Sequence, residues 1–234
     1  FSTYNDRWKE RDPNWKPAAY QKEQDPIRGV FAYVADGLLQ PGEEAPAHQP
    51  QLLPGQVKLK NINGDDKLNE EDMVLIGRND PKFIFGFNNN FSYKNFDLNI
   101  YMYGQVGKIA GANSYYDAWG SYGNRIKLGQ NVPVSFKDAW SSDNQTSTRP
   151  SFIESAYGTG DLFLQKISFL RIRNITLGYT VPISKSICNR LRVYADVNNP
   201  CVWTNWKGQD PETDSNTNAY PNVTSFSIGV DISF

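Results

Sequence analysis

Histidine and cysteine are nearly missing from this chain: its 234 residues include one His, His48, and two Cys, Cys188 and Cys201. A zinc site needs three or four His, Cys or carboxylate ligands, and a Ser-His or Cys-His pair would have to recruit His48, so most metal and nucleophile chemistries are removed. His48 lies in a Pro-rich stretch, residues 40–50, and is read as exposed and inert. There is also no run of about 18 to 20 apolar residues, which excludes helical membrane spans but not barrel strands, because those alternate polar and apolar. Excess charge of one sign is absent: 24 Lys+Arg stand against 25 Asp+Glu, so nothing favours DNA, RNA or an acidic membrane surface as partner. No internal repeat and no helix of useful length is visible beyond a single turn at 115–119.

Aromatic residues are abundant at 14%, with 13 Tyr, 13 Phe and 6 Trp, more than a soluble core of this size uses. The excess calls for an interface with lipid or sugar. The chain opens at Phe1 on a polar, Pro-broken run to Gln24 with no signal peptide, and reads as the middle of a longer polypeptide whose export signal lies upstream.

Period-2 alternation is the dominant pattern. In the last nine residues Phe226, Ile228, Val230, Ile232 and Phe234 are apolar and the residues between them small or polar. Phe83, Phe85, Phe87, Phe91 and Tyr93 form a second apolar face, which passes to Phe96, Leu98, Ile100 and Met102 across Lys94-Asn95, a tight hairpin turn. Ile175, Leu177, Tyr179 and Val181 make a third; before Asn174 the phase slips to Leu170 and Ile172, opposite Arg171 and Arg173, which predicts a bulge or a strand leaving the membrane. After a short connection, 182–190, Leu191, Val193, Ala195 and Val197 form the returning strand. Residues 29–39 read as one further strand, apolar on both faces and ending at Asp36-Gly37. Three long polar stretches, 40–80, 107–160 and 201–223, fall on the side of the sheet opposite the tight turns. Strands of about ten residues, short turns on one side and long loops on the other make the outer-membrane barrel pattern.

Four stretches resemble one family, the SusC/RagA-like TonB-dependent outer-membrane transporters of Bacteroidetes, in their C-terminal third. They are Val30-Phe31-Ala32-Tyr33-Val34-Ala35-Asp36-Gly37, Asn61-Ile62-Asn63-Gly64-Asp65-Asp66-Lys67-Leu68-Asn69 following Pro54-Gly55-Gln56-Val57-Lys58, the hairpin from Pro81-Lys82-Phe83 to Phe96-Asp97-Leu98, and Phe169-Leu170-Arg171-Ile172-Arg173-Asn174-Ile175-Thr176-Leu177-Gly178-Tyr179. The likeness runs to the terminal Phe234, covers residues 29–234, and is thin between 107 and 168.

The resemblance implies an all-β fold: the last five or six strands of a large, 22-stranded antiparallel transmembrane β-barrel with long extracellular loops. Residues 1–28 would be a loop or strand remnant and 29–234 a single barrel segment, with plug and energy-coupling segment upstream. It implies no enzyme and no required cofactor, but active import of oligomers, glycans more often than peptides, through a pore capped by a SusD-like lipoprotein. TonB with ExbB-ExbD would supply the energy through the missing N-terminal part, and transporter-lipoprotein pairs would dimerise. Phe226, Ile228, Val230, Ile232 and Phe234 would close the barrel, with the terminal aromatic as assembly signal. The other reading is a soluble or surface carbohydrate-binding β-domain using the same aromatic loops.

Two candidate sites follow from the residues. Asn61, Asn63, Asp65, Asn69 and Asp72 occupy positions 1, 3, 5, 9 and 12 of a calcium-loop spacing, with a carbonyl from Lys67. Asp66 replaces the usual Gly at position 6, and the competing reading is a self-hydrogen-bonded Asx-rich turn. Tyr115, Tyr116, Trp119, Tyr122, Trp203 and Trp206 are loop aromatics suited to stacking on a ligand, or else to packing and an aromatic girdle. Glu154, Asp161, Asp210, Glu212 and Asp214 are loop-borne acids without a desolvating pocket, so catalysis is not expected. Cys188 and Cys201 lie roughly 40 Å apart if the intervening strand is continuous at about 3.3 Å per residue, and are expected to be free thiols.

Overall fold

A computed structural model describes residues 7, 12–111, 128–129, 131, 134–152, 155–183, 188–208, 210–213 and 220–234. Nine strands appear among them: β1 (Gly29–Ala32), β2 (Ala35–Leu38), β3 (Val57–Leu59), β4 (Val74–Arg78), β5 (Phe83–Tyr93), β6 (Phe96–Gly111), β7 (Leu164–Val181), β8 (Arg190–Thr204) and β9 (Ser225–Ser233). The last five form one antiparallel meander in chain order. Lys94-Asn95, where Lys94 takes φ +53, is the tight connection between β5 and β6, and residues 182–189 separate β7 from β8. The longer connections, after β6 and β8, fall at the opposite end, as the alternation predicts.

Register aligns the apolar positions into rows that cross all five strands. One row is Phe91, Leu98, Leu177, Ala195 and Ile228; the next is Tyr93, Phe96, Tyr179, Val193 and Val230. Phe96 and Tyr179 lie with ring centroids 4.7 Å apart. Because side chains alternate, the rows between are polar: Asn90, Asn99, Thr176, Asp196 and Ser227, for example. Among the described residues the apolar rows stay open: Phe226 is 77% and Ile228 84% exposed, and Phe87, Phe91, Tyr93, Phe96, Leu177, Val193, Val230 and Ile232 lie between 38% and 71%. At about 2 kcal/mol for full burial of a large apolar side chain, that partly exposed face forgoes on the order of 10 kcal/mol in water. A lipid-facing barrel wall removes the deficit.

The opposite, polar face is tied by side-chain bonds across strands. Arg192 on β8 reaches over β7 to Asp97 on β6, at 2.6 and 2.9 Å, and also meets Asp231 on β9 at 3.0 Å. It passes where β7 carries Gly178: a Cβ there would lie 2.5 Å from Arg192 Nε and from Asp97 Oδ1. Asp196 accepts from Thr176 at 2.7 Å and from Asn198 at 2.7 Å, and it also accepts from Asn174.

Strands β6 and β7 are longer than the pattern suggests, at 16 and 18 residues. Eighteen residues span about 60 Å, twice the roughly 30 Å hydrocarbon core, so the upper half of β7 rises beyond a membrane. The stretch expected as loop from residue 107 is therefore strand as far as Gly111. The apolar core sits at this upper end. Ala110, Ile167, Phe169 and Trp206 pack together; Leu38, Val57 and Leu59 form a second cluster with Tyr33, Trp140 and Tyr157.

Residues 29–39 are not one strand. The ribbon breaks at Tyr33-Val34, and β1 pairs with β4 while β2 pairs with β3. Asp161 causes the break: its N–H donates to the Tyr33 carbonyl at 2.9 Å and its carboxylate accepts the Ala35 N–H at 2.8 Å. The 40–80 stretch, read as loop, contains β3 and β4. The fully buried Gln49 completes the edge of β3 by accepting the Leu59 N–H at 2.7 Å and donating to the Val57 carbonyl at 3.4 Å. His48 is half-buried rather than exposed, with Nε2 2.7 Å from the Leu59 carbonyl oxygen.

Candidate functional site

The phase slip before Asn174 is a β-bulge. Tyr101 pairs with Asn174 and Met102 with Ile172, so Arg173 is an extra residue on β7. On the other side β8 answers with Asn199, at φ +49, and Pro200 between the pairs Ile172–Cys201 and Asn174–Asn198. A bulge turns two consecutive residues to one face. Arg171, Arg173 and Asn174 therefore all join the polar, lumenal face, and Leu170 and Ile172 stay with the outer one.

Those arginines hold the connection between β8 and β9. Arg171, 3% exposed, directs Nη2 to both oxygens of Asp210, 4% exposed, at 2.9 and 3.0 Å, and its Nε donates to Glu212 at 2.8 Å. Arg173 donates to the other Glu212 oxygen at 2.5 Å. Asn222 closes the ring from the far end of the loop: its backbone N–H donates to Asp210 at 3.0 Å and its amide to Glu212 at 3.2 Å. Burial alone pushes the Asp210 pKa up. The N–H groups of Glu212 and Asn222 and the charge of Arg171 outweigh that and hold it below the usual carboxylate value.

Below this latch is a cleft of about 350 Å³ on the lumenal face, lined by Tyr101, Tyr103, Gln105, Lys108, Arg173 and Glu212. A second bulge, at Gly107 with φ +83, lets Gln105 and Lys108 share that face. Tyr103 packs against Phe169 with the rings tilted and their centroids 5.8 Å apart, and the Arg173 guanidinium lies 5.9 Å from its ring centre. The cleft offers aromatic faces, hydroxyls, an amide and charges of both signs: a surface for binding. Asp210 and Glu212 are engaged by guanidinium groups, and Asp161 holds the Tyr33–Ala35 break, so these carboxylates are structural.

The aromatic candidates separate. Tyr115, Tyr116, Trp119 and Tyr122 lie outside the described residues, as do Glu154 and Asp214. Trp203, 53% exposed, pairs with Leu170 on the outer face, where Phe85 occupies the same row, an aromatic-girdle position. Trp206, 6% exposed, is a core residue rather than a stacking platform, and Gly208 sits so close that a Cβ would lie 2.3 Å from its Nε1. From sequence Arg171 and Arg173 read only as the polar phase of a strand, and Asp210 and Glu212 only as acids without a desolvating pocket; Asp210 is in fact 4% exposed, and neither the pairing nor Asn222 is anticipated. A signal is present in the matched spacing of Arg171-x-Arg173 and Asp210-x-Glu212, but pairing them requires knowing that the loop folds back.

The 61–72 loop closes on its own hydrogen bonds. Asn61 Oδ1 accepts the Gly64 N–H at 2.6 Å, Asn63 Oδ1 accepts Asp65 at 3.1 Å, and Asp65 Oδ1 accepts Lys67 at 3.0 Å. Asn69 caps the 3-10 turn Glu70–Asp72. Asp72, fully buried, takes the N–H groups of Ile62, Asn63 and Asn69 at 2.7, 3.3 and 3.0 Å. Burial raises its pKa, and these three donors more than reverse that. Asp66 does adopt the left-handed turn that position 6 requires, at φ +57. The oxygens of Asn61, Asn63, Asp65 and Asp72 are the ones that could hold a hard cation, together with the Lys67 carbonyl.

Cys188 is buried and Cys201 lies within β8, and both are free thiols. On β9, the last strand of the sheet, Phe226, Ile228, Val230 and Ile232 all lie on the outer face, with Phe234 beyond its end.

No family model matches the chain. TonB-dependent receptor P3 of Formosa agariphila is 27% identical over 236 residues, 91% of this chain and 23% of the relative. TonB-dependent receptor SusC of Bacteroides thetaiotaomicron is 27% identical over 180 residues, 74% of this chain and 17% of the relative. The chain thus spans about a fifth of the length of these curated relatives. Among solved structures, the RagAB peptide transporter superposes with a TM-score of 0.69 at 21% identity, covering 91% of this chain and 23% of that one. Its closed-closed state gives 0.64. The resemblance carried by the four motifs is borne out: the chain is similar to curated TonB-dependent receptors, SusC among them, and has the fold of a transporter barrel segment.

Proposed function

We propose that this chain is the C-terminal barrel segment of an outer-membrane TonB-dependent transporter that imports oligomeric nutrients. The observation that carries the reading is the two-faced sheet: apolar rows open across five strands on one side, and on the other a lumen tied by ion pairs and lined by a Tyr101–Tyr103 cleft. A soluble carbohydrate-binding domain would have to expose the apolar face to water. Transport requires only binding that differs between open and closed states, with no covalent step. A SusD-like lipoprotein over the loop end, energy from TonB with ExbB-ExbD, and dimerised transporter-lipoprotein pairs complete the proposal, with a glycan or a peptide as cargo.

The test is made on the native polypeptide that contains these residues. A chain of about 100 kDa or more in the detergent-extracted outer membrane, an abundant lipoprotein co-purifying, and loss of growth on one oligomer when the gene is deleted are the expected results. Recovery of the chain as a free water-soluble protein would reject the transporter.

A further inference from the structure

We propose that Gln105 is the polar anchor of a subsite in the lumenal cleft, where its carboxamide holds two adjacent hydroxyls of a neutral sugar ring on the imported oligomer; this rests on the importer reading above. Gln105 is 8% exposed, and among the described residues its side-chain amide has no hydrogen-bond partner. Its neighbours in the same cross-strand row are Ile84 on β5 and Phe169 on β7, neither of which offers a polar side-chain atom. A carboxamide among such neighbours loses hydration and gains nothing in return, so an apolar side chain would suit that row better. The amide is not sealed in, however, because Gln105 lines the cleft.

The other walls of the cleft narrow the chemistry of what fills it. Arg173 donates to Glu212 at 2.5 Å, Glu212 also accepts from Arg171 at 2.8 Å and from Asn222 at 3.2 Å, and Lys108 is likewise engaged. A charged ligand would have to break pairs already made, which favours a neutral one. The Gln105 carboxamide presents a donor and an acceptor side by side in one plane. Two neighbouring ring hydroxyls match it: one accepts from Nε2 while the other donates to Oε1. A trans peptide bond does not, since its N–H and C=O point in opposite directions. Tyr101 supplies a second contact. Its ring is 40% exposed, and among the described residues it has neither an aromatic nor a side-chain hydrogen-bond partner. It lies on the same face of β6 as Gln105, about 13 Å away along the strand. A stack on the Tyr101 ring and a bond to the Gln105 amide therefore engage different units of one oligomer.

Binding is measured by calorimetry on the purified full-length transporter in detergent, with maltohexaose, cellohexaose, xylohexaose and mannohexaose as probes and a capped, uncharged Gly-Gln hexapeptide beside them. At least one hexaose should bind, with an affinity that stays constant from about 0.05 to 0.5 M NaCl because no charge is matched. Q105M keeps the length of the side chain and removes both donor and acceptor, so it should weaken that hexaose about tenfold or more. Y101L, at the exposed platform, should weaken it about fivefold. Because Q105M breaks no bond within the protein, its unboiled barrel should unfold on a denaturing gel at the wild-type temperature or above. A lower temperature would give the amide a structural role and overturn the proposal. So would unchanged hexaose affinity in either variant, affinity that falls steeply with salt, binding of no hexaose, or Gln105-dependent binding of the hexapeptide alone. If hexaose binding depends on Gln105 but deleting the gene leaves uptake of every oligomer intact, the subsite stands and the importer reading fails. If growth on one oligomer needs the gene while Q105M binds every hexaose as the wild type does, the importer stands and the subsite fails.

Discussion

Replacing Arg171 with Met tests whether the β8–β9 connection is latched to the lumenal wall. Arg171 and Asp210 are both almost fully buried, and Arg171 makes three of the bonds that fix the acidic segment. Met keeps most of the side-chain volume but leaves Asp210 buried without its cation. Breaking one half of a buried pair costs about 3–5 kcal/mol. At about 1.4 kcal/mol per tenfold, the population of undocked loop should rise by roughly a hundredfold to a few thousandfold. The assay is tryptic cleavage after Lys207 in the full-length protein in liposomes, because cleavage of a transiently open segment tracks its open population. R171M should be cut at least about a hundredfold faster. Adding D210L removes the stranded carboxylate and should restore much of the resistance. Cleavage of R171M at the wild-type rate would refute the latch; a double variant no more resistant than R171M would refute the stranded-charge reasoning. The pH dependence has a definite sign. The Asp210 carboxyl is held below its ordinary value of 3.8, so its contribution is fully present above that value and is lost as pH falls through the lower, folded one. Wild-type resistance, read with an acid-active protease, should therefore decline only below about pH 4.

Three other substitutions address the wall, the rim and the closing edge. G178A places a Cβ 2.5 Å from Arg192 Nε and Asp97 Oδ1, which should cost about 1–3 kcal/mol and lower the temperature at which the unboiled barrel unfolds on a denaturing gel; an unchanged temperature would mean that the Arg192–Asp97 crossing contributes little. D72A leaves the N–H groups of Ile62, Asn63 and Asn69 without their acceptor, at about 1–3 kcal/mol each, so the 61–72 loop should become protease-sensitive, whereas adding calcium or EDTA to the wild type should change nothing; calcium-dependent protection would instead assign its oxygens to a cation. F234A, or deletion of residues 226–234, should severely lower the amount of folded protein in the outer membrane, and normal levels would show that the terminal strand and its aromatic are dispensable.

Alternation made the sheet legible because period 2 is a local property. Each apolar row of β5 to β9 can be read within its own strand, and the hairpin at Lys94-Asn95 and the bulge near Asn174 appear as changes of phase. What could not be read is whatever depends on a partner distant in sequence. The ribbon at residues 29–39 looks like one strand until Asp161, more than 120 residues on, takes the Ala35 N–H. Val57 and Leu59 are too few to show a period, and their strand exists because Gln49 completes its edge. Trp203 and Trp206 look alike as loop aromatics, yet three residues place one on the outer face and the other in the core. The latch pairs a strand with a loop some 40 residues away, and nothing near Arg171 announces that its charge will be buried.

The bulge at Arg173 links these levels. Below it β7 alternates between lipid and lumen, from Val181 to Asn174; above it the strand leaves the membrane and carries the loop-side core. Because side chains alternate strictly, one residue more or fewer exchanges the faces of everything beyond it. With the extra residue, Ile167, Phe169 and Arg171 turn to the lumenal side, where Trp206 and Asp210 meet them. Without it, Arg171 would point outward near the lipid boundary and Leu170 and Ile172 would face Asp210 and Glu212. The cost of unpaired charge on both sides would undo the packing of the β8–β9 connection. That connection supplies Glu212 to the lumenal cleft, so this candidate binding surface depends on a single added residue at the membrane boundary.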